Sequence, residues 1–100
     1  MLQSFQDKET EKVWNQEYSK KLPRDIQRVG LRKLFMLNRA IDLDDLKIPP
    51  SNCLEKLKGN RKGQFSIRIN QQWRICFNWK DGEAYKVEIV DYHQEDCNER

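Results

Sequence analysis

Apolar residues recur at helical spacing in the first half of the chain and at every other position in the second half. Ile26, Gly30, Leu34, Leu37 and Ile41 follow at steps of four, four, three and four, with Val29 and Ala40 alongside. That is one apolar stripe on an α-helix. Pro23 suits its first turn, Ile41 to Leu46 reads as a further turn, and Pro49-Pro50 ends all helix. Arg24, Arg28, Arg32 and Arg39 fall on a different stripe, so the helix is basic on its outer side. Upstream, Asp7 reads as the cap of a shorter helix through Glu11, Val13 and Trp14 to about Tyr18. Leu2 to Phe5 fits a short edge strand.

After the prolines the period changes to two. Phe65, Ile67 and Ile69 alternate with Gln64, Ser66, Arg68 and Asn70. Trp73, Ile75, Phe77 and Trp79 alternate with Arg74, Cys76 and Asn78. Asp81-Gly82 is a tight-turn signal, and Tyr85, Val87 and Ile89 then alternate with Lys86 and Glu88. These are three strands in meander order. Helices first and hairpins after predict an α+β domain with an antiparallel sheet. The helices should cover the face carrying Ile67, Ile75, Phe77 and Val87. The other face, with Gln64, Ser66, Arg68, Arg74 and Asn78, should be wet and suited to phosphates.

One hundred residues make one domain, 1–100, with 94–100 expected to fray. No apolar run approaches the roughly 18–20 residues of a membrane helix, and Met1 to Glu9 lacks the apolar centre of a secretory signal. A soluble cytoplasmic protein is expected. The three cysteines, Cys53, Cys76 and Cys97, read as reduced thiols, and with one histidine a four-ligand zinc site is not expected. The net charge of +3 hides a segregation. Lys56 to Lys80 holds seven basic residues and no acid, and Tyr18 to Arg39 holds seven more against Asp25 alone. Such a one-signed stretch is a polyanion footprint.

The candidate chemistry gathers at one sheet edge. His93 follows the last strand in the run Val90-Asp91-Tyr92-His93, Arg74 lies in the middle strand, and Lys58 and Arg61 lie in the loop feeding the first. In a meander the end of the third strand approaches the start of the second. Cleavage of RNA through its own 2′-hydroxyl needs a base, an acid and cations for the charge that builds on the phosphate. Singly each residue has a plainer reading: His93 as a surface residue, Tyr92 as packing, Arg74 as an ion-pair partner of Asp91 or Glu88. Their convergence in a basic field is what points to RNA.

The run Leu54-Glu55-Lys56-Leu57-Lys58-Gly59-Asn60-Arg61-Lys62-Gly63, the following Ser66-Ile67-Arg68 and Trp73-Arg74, and the terminal Asp91-Tyr92-His93 together resemble the HigB-type toxins of the RelE/ParE superfamily. The resemblance implies a RelE-like (microbial RNase-like) fold with two N-terminal helices on a twisted antiparallel sheet. It implies the toxin of a type II toxin–antitoxin pair, a metal-independent, cofactor-free endoribonuclease cutting mRNA in the ribosomal A site. It implies a HigA-type helix-turn-helix antitoxin as partner, with operator DNA bound through that antitoxin. Lys58, Arg74, Tyr92 and His93 match functional positions, and Asp91 lies in the same run: His93 is expected as general acid or base, Lys58 and Arg74 as phosphate and transition-state clamps, and Tyr92 to stack on or orient the substrate. Some members carry histidine where Glu55 stands here, so Glu55 joins the candidate catalytic set. Lys56, Arg61, Lys62 and Arg68 are candidate RNA contacts. Two rivals remain at this point: a ParE-like gyrase poison and a nucleic-acid-binding subunit without catalysis.

Overall fold

A computed structural model describes residues 1–91. Two helices, α1 (Lys8–Trp14) and α2 (Arg24–Arg39), precede four strands, β1 (Glu55–Lys56), β2 (Gln64–Arg68), β3 (Trp73–Lys80) and β4 (Glu83–Asp91). The strands form one antiparallel sheet in the order β1-β2-β3-β4. The α+β class with two helices on an antiparallel sheet is as expected. A strand of only two residues, β1, adds a fourth member that the alternation did not reveal.

Asp7 caps α1 by accepting a hydrogen bond from the Thr10 amide, and the helix ends at Trp14 rather than near Tyr18. Helix α2 buries Ile26, Gly30, Leu34 and Leu37 on the expected stripe. Gly30 lies over Ile69 and Ile89 of the sheet region. Ile41 does not complete the stripe: the helix stops at Arg39 and Ile41 is 80% exposed. A 3-10 turn, Leu43–Lys47, follows and buries Leu46. The core joins Ile26, Leu34 and Leu37 of α2 to Ile67, Ile75, Phe77, Val87 and Ile89. Burying side chains of this size contributes about 1.5–3 kcal/mol each.

The outer edge of β4 is covered by the N-terminus. Leu2 and Phe5 form parallel bridges to Ala84 and Val87, the edge role expected of them. The Ile89 amide donates to the buried Thr10 hydroxyl at 2.9 Å. The edge from Ala84 to Ile89 is thus engaged by the N-terminal segment and shielded from pairing with another chain.

Two expectations about the sheet need correction. The first concerns β4. Cys76 pairs with Glu88 and Asn78 with Tyr85, so two residues of β4, Lys86 and Val87, stand against Phe77 alone. This is a β-bulge, and Lys86 adopts a left-handed backbone with φ 53°. The extra residue breaks the parity of the strand. Val87 and Ile89 enter the core, while Tyr85 turns to the opposite face beside Asn78. Ser4 satisfies the bulge, since its hydroxyl accepts from the Lys86 amide and its carbonyl from the Val87 amide.

The second concerns the face away from the helices. It carries Gln64, Ser66, Arg68, Arg74, Cys76 and Asn78, as register dictates, but its middle is not wet. Ser66 and Cys76 are fully buried and Arg74 is 4% exposed. A 3-10 turn, Pro50–Asn52, packs on β2, and Cys53 and Glu55, which follow it, meet the Arg74 side chain. Cys53 is disulfide-bonded, so the expectation of reduced thiols fails there. Cys76 keeps a free thiol that burial pushes up to about 11. Lys33, one of the seven basic residues of the Tyr18–Arg39 stretch, is buried. Its ammonium donates to Oδ1 of the fully buried Asn52.

Candidate active site

The register of the short strand β1 builds the first part of the site. Glu55 is the Cα partner of Ser66 and Lys56 of Phe65, so Glu55 points to the polar face and meets β3. Arg74 Nη2 lies 3.6 Å from Glu55 Oε1 and donates to the Cys53 carbonyl at 2.6 Å. Arg74 Nε donates to Ser66 Oγ at 2.8 Å. A buried guanidinium is tolerable only with its donors taken up by oxygen, and three different elements supply them. Cys53 presents its carbonyl from a left-handed conformation, φ 45°. The Glu55 oxygen that faces Arg74, Oε1, is buried, while the side chain as a whole keeps 23% exposure.

The loop between β1 and β2 builds the second part. Lys56, Lys58 and Lys62 line one cavity of about 420 Å³ with Leu57 and Gly59. Gly59, at φ 65°, lets the chain turn sharply there. Leu57 is buried and its amide donates to the Gln64 carbonyl, which pins the loop to β2. Three lysines along one hollow bring positive charge to this loop, which suits a phosphate-rich chain.

Arg61 departs from this group. Its guanidinium donates to Gln64 Oε1 at 3.1 Å and pairs with Glu88 Oε1 at 3.3 Å. Arg68 is half-buried, donating from Nε to the Asn70 carbonyl. Asp91 stands opposite Trp73, on the pleat facing the helices, and accepts from the Gln72 side-chain Nε2 at 3.1 Å. The acid facing Arg74 is thus Glu55, and Glu88 serves Arg61. The end of β4 does lie beside the start of β3, as the meander required. Tyr92 and His93 follow Asp91 in sequence and lie outside the described residues. Among the described residues no cluster of three or more His, Cys, Asp or Glu side chains is placed to hold a metal ion. Nor, among the described residues, is any helix long and apolar enough to cross a membrane.

Sequence reasoning missed the buried Ser66 hydroxyl and the Cys53 carbonyl as partners of Arg74. Nothing local marks them: the Ser66 contact depends on the register of β2 with β3, and the Cys53 contact on the 3-10 turn that brings that carbonyl onto the sheet.

Comparison with known proteins follows the same outline. Residues 3–93 match the family described as RelE-like toxin of type II toxin-antitoxin system HigB. The chain is 42% identical over 95 residues to Toxin HigB-1 of Vibrio cholerae serotype O1, covering 94% of this chain and 99% of that one. It is 31% identical over 94 residues to Endoribonuclease HigB of Proteus vulgaris, covering 93% of this chain and all of the other. An uncharacterized protein of Haemophilus influenzae is 35% identical over 73 residues, 73% of this chain and 71% of that protein.

Proposed function

The chain belongs to the HigB-like toxins of type II toxin–antitoxin systems, and from that premise we propose that it is an endoribonuclease that cuts mRNA on the ribosome. The observation that carries the reading is the carboxylate of Glu55, fixed by buried Arg74 on the polar sheet face of a chain whose adjoining loop rings a cavity with three lysines. The name of the Proteus vulgaris relative supports cleavage over the gyrase-poison alternative.

The chemistry needs only the substrate's own 2′-hydroxyl. A base removes its proton, and the 2′-oxygen attacks the adjacent phosphorus. The bond from phosphorus to the 5′-oxygen breaks, and an acid protonates that leaving oxygen. The products are a 2′,3′-cyclic phosphate and a 5′-hydroxyl. Glu55 and His93 are the proton-transfer pair. Lys58, with Lys56 and Lys62 around the same hollow, balances charge that develops on the phosphate oxygens. Arg74, at 4% exposure, serves by holding Glu55 rather than by clamping phosphate. Tyr92 and Asp91 complete the site, Tyr92 against the substrate and Asp91 at the strand end. Arg68 and the outer lysines extend the path of the RNA.

The partner in this reading is a HigA-type helix-turn-helix antitoxin that carries the complex to operator DNA, and the site of action is the cytoplasm. The test is in-vitro translation of a defined mRNA with purified toxin, followed by primer extension. Discrete stops within the translated frame, absent when ribosomes are omitted, are expected. Stops without ribosomes, or inhibition with intact mRNA, would overturn the proposal.

A further inference from the structure

On the polar face of the sheet, four side chains other than the Glu55–Arg74 pair, Glu88 of β4, Arg61 of the β1–β2 loop, Gln64 of β2 and Asn78 of β3, form a directed chain of hydrogen bonds. Glu88 Oε1 accepts from Arg61 Nη1, which also donates to Gln64 Oε1 at 3.1 Å. Gln64 Nε2 then donates to Asn78 Oδ1 at 3.1 Å. Arg61 has donors only, so it fixes which end of the Gln64 amide faces it. Gln64 in turn fixes the Asn78 amide. The last member of the relay is the Asn78 Nδ2 group, and among the described residues no acceptor takes its protons. Asn78 lines two adjoining grooves of about 650 and 570 Å³, with Lys86 on the wall of both.

Tyr85 is the second observation, and it is independent of the relay. It pairs with Asn78 across the strands and lines the larger groove. It stands on this face only because the bulge at Lys86 reverses the parity of β4. Bulges concentrate beside functional sites, where they re-aim a side chain. Here an aromatic ring is delivered next to a preoriented amide donor, with an ammonium group alongside.

We propose that Tyr85 and Asn78 form a nucleobase subsite that selects where the RNA is cut. The inference rests on the endoribonuclease reading and assigns the base contact of the same substrate. An unpaired base stacks on Tyr85, Asn78 Nδ2 donates to a carbonyl on its Watson–Crick edge, and Lys86 meets the neighbouring phosphate. Guanine and uracil place both a carbonyl and an N–H on that edge. The N–H finds its acceptor in the carboxylate of Glu88 or the second lone pair of Gln64 Oε1. Adenine offers the fixed donor only its N1 and sets an amino group, not a ring N–H, beside it, so it fits less well.

The decisive substitution is Asn78→Asp, which keeps the shape and turns the free donor into an acceptor. Cleavage sites of the wild-type and variant toxins are mapped on a randomised mRNA pool in translation. At one fixed offset from the cut, guanine or uracil should be enriched with wild-type toxin, and the variant should lose uracil there in favour of bases that present an amino group to the new acceptor. Tyr85→Leu should weaken binding of a short single-stranded RNA roughly ten-fold, in the range of one base stack, with Tyr85→Phe restoring most of it. An Asn78→Asp profile identical to the wild type, at whatever overall rate, overturns the subsite while leaving the nuclease reading intact. Wild-type toxin that cuts no RNA overturns the nuclease reading. The subsite is then decided by titrating oligouridylate and oligoadenylate while following the Asn78 side-chain amide by NMR. A shift specific to oligouridylate supports it, and no shift with either overturns it.

Discussion

Arg74 Nε donates to Ser66 Oγ across a diagonal of the sheet: the Cα partner of Arg74 on β2 is Arg68, and Ser66 lies two residues away on the same face. The long side chain therefore runs along the sheet and away from Arg68. This keeps two guanidiniums from facing each other directly and delivers the Arg74 fork to Cys53 and Glu55. Replacing Arg74 by Ala strands the Ser66 hydroxyl and the Cys53 carbonyl in a dry space and leaves Glu55 without its cation. Removing one member of such a group costs roughly 3 kcal/mol. Arg74→Ala should lower the urea midpoint by that equivalent and lose cleavage as well. Arg74→Lys should regain part of the stability and little of the activity, because one ammonium cannot serve three acceptors in different directions. Full stability in Arg74→Ala would show that the cluster is not structural.

Lys33 supplies a pH signature. Burial, with a smaller push from neighbouring Arg32, holds its ammonium below the ordinary lysine range. Below its depressed pKa the folded chain carries a charge that burial disfavours. As pH rises toward the unfolded value, the unfolded chain binds more protons at this position than the folded one, so stability increases. Wild-type toxin should therefore gain stability relative to Lys33→Met as the pH is raised from neutral toward the ordinary lysine value of about 10.4. The difference cancels other groups that titrate in both proteins. Urea melts at several pH values measure it, and a flat or falling difference would contradict the burial of that ammonium.

The lysine hollow makes an electrostatic prediction. Deleting one lysine that neutralises a phosphate of bound single-stranded RNA should flatten the plot of log K against log salt by about 0.7 to 1. Lys56→Ala, Lys58→Ala and Lys62→Ala are each expected to do so, and the triple variant should flatten the slope by roughly two to three units. Arg61→Ala should behave differently. Its guanidinium is already engaged by Glu88 and Gln64, so its removal should change the slope by less than any of the lysines. Equal slope changes for all four would place Arg61 on the phosphate path instead.

What the chain discloses in advance depends on how local each cause is. The α2 stripe from Ile26 to Leu37 and the faces of β2 and β3 are set by repeating periods, and those survive folding unchanged. The place of Tyr85 is not, because one bulged residue at Lys86 reverses the parity and no residue type announces it. Glu55 and Arg74 are nineteen positions apart, and their meeting rests on a strand of two residues, too short to show alternation. Arg74 and Lys33 read as surface cations, since only the finished fold supplies the oxygens that permit their burial. The candidate catalytic residues could be named from the motif that resembles the HigB toxins. Which acid faces which cation required the register.

The assignment of the proton-transfer groups can be decided by comparing two residues in one assay. Glu55 is held by Arg74 with part of its side chain open to solvent, and glutamine at this position preserves shape while removing basicity. His93 carries the only imidazole of the chain, and an unperturbed imidazole is the side chain that titrates between pH 5 and 8. Loss of a general acid or base costs roughly 10²–10⁴ in rate. Glu55→Gln and His93→Gln should each lower single-turnover cleavage on programmed ribosomes by an amount in that range, with ribosome binding changed only a few-fold. If both act in one proton relay, the double variant should be little worse than the poorer single one, since residues that work as a unit are strongly non-additive. A pH–rate profile separates their roles. Loss of the limb near the ordinary imidazole pKa of about 6.5 in His93→Gln, with that limb retained in Glu55→Gln, would assign it to the imidazole. Near wild-type cleavage by His93→Gln alongside inactive Glu55→Gln would move proton transfer to Glu55 and leave His93 as a substrate contact.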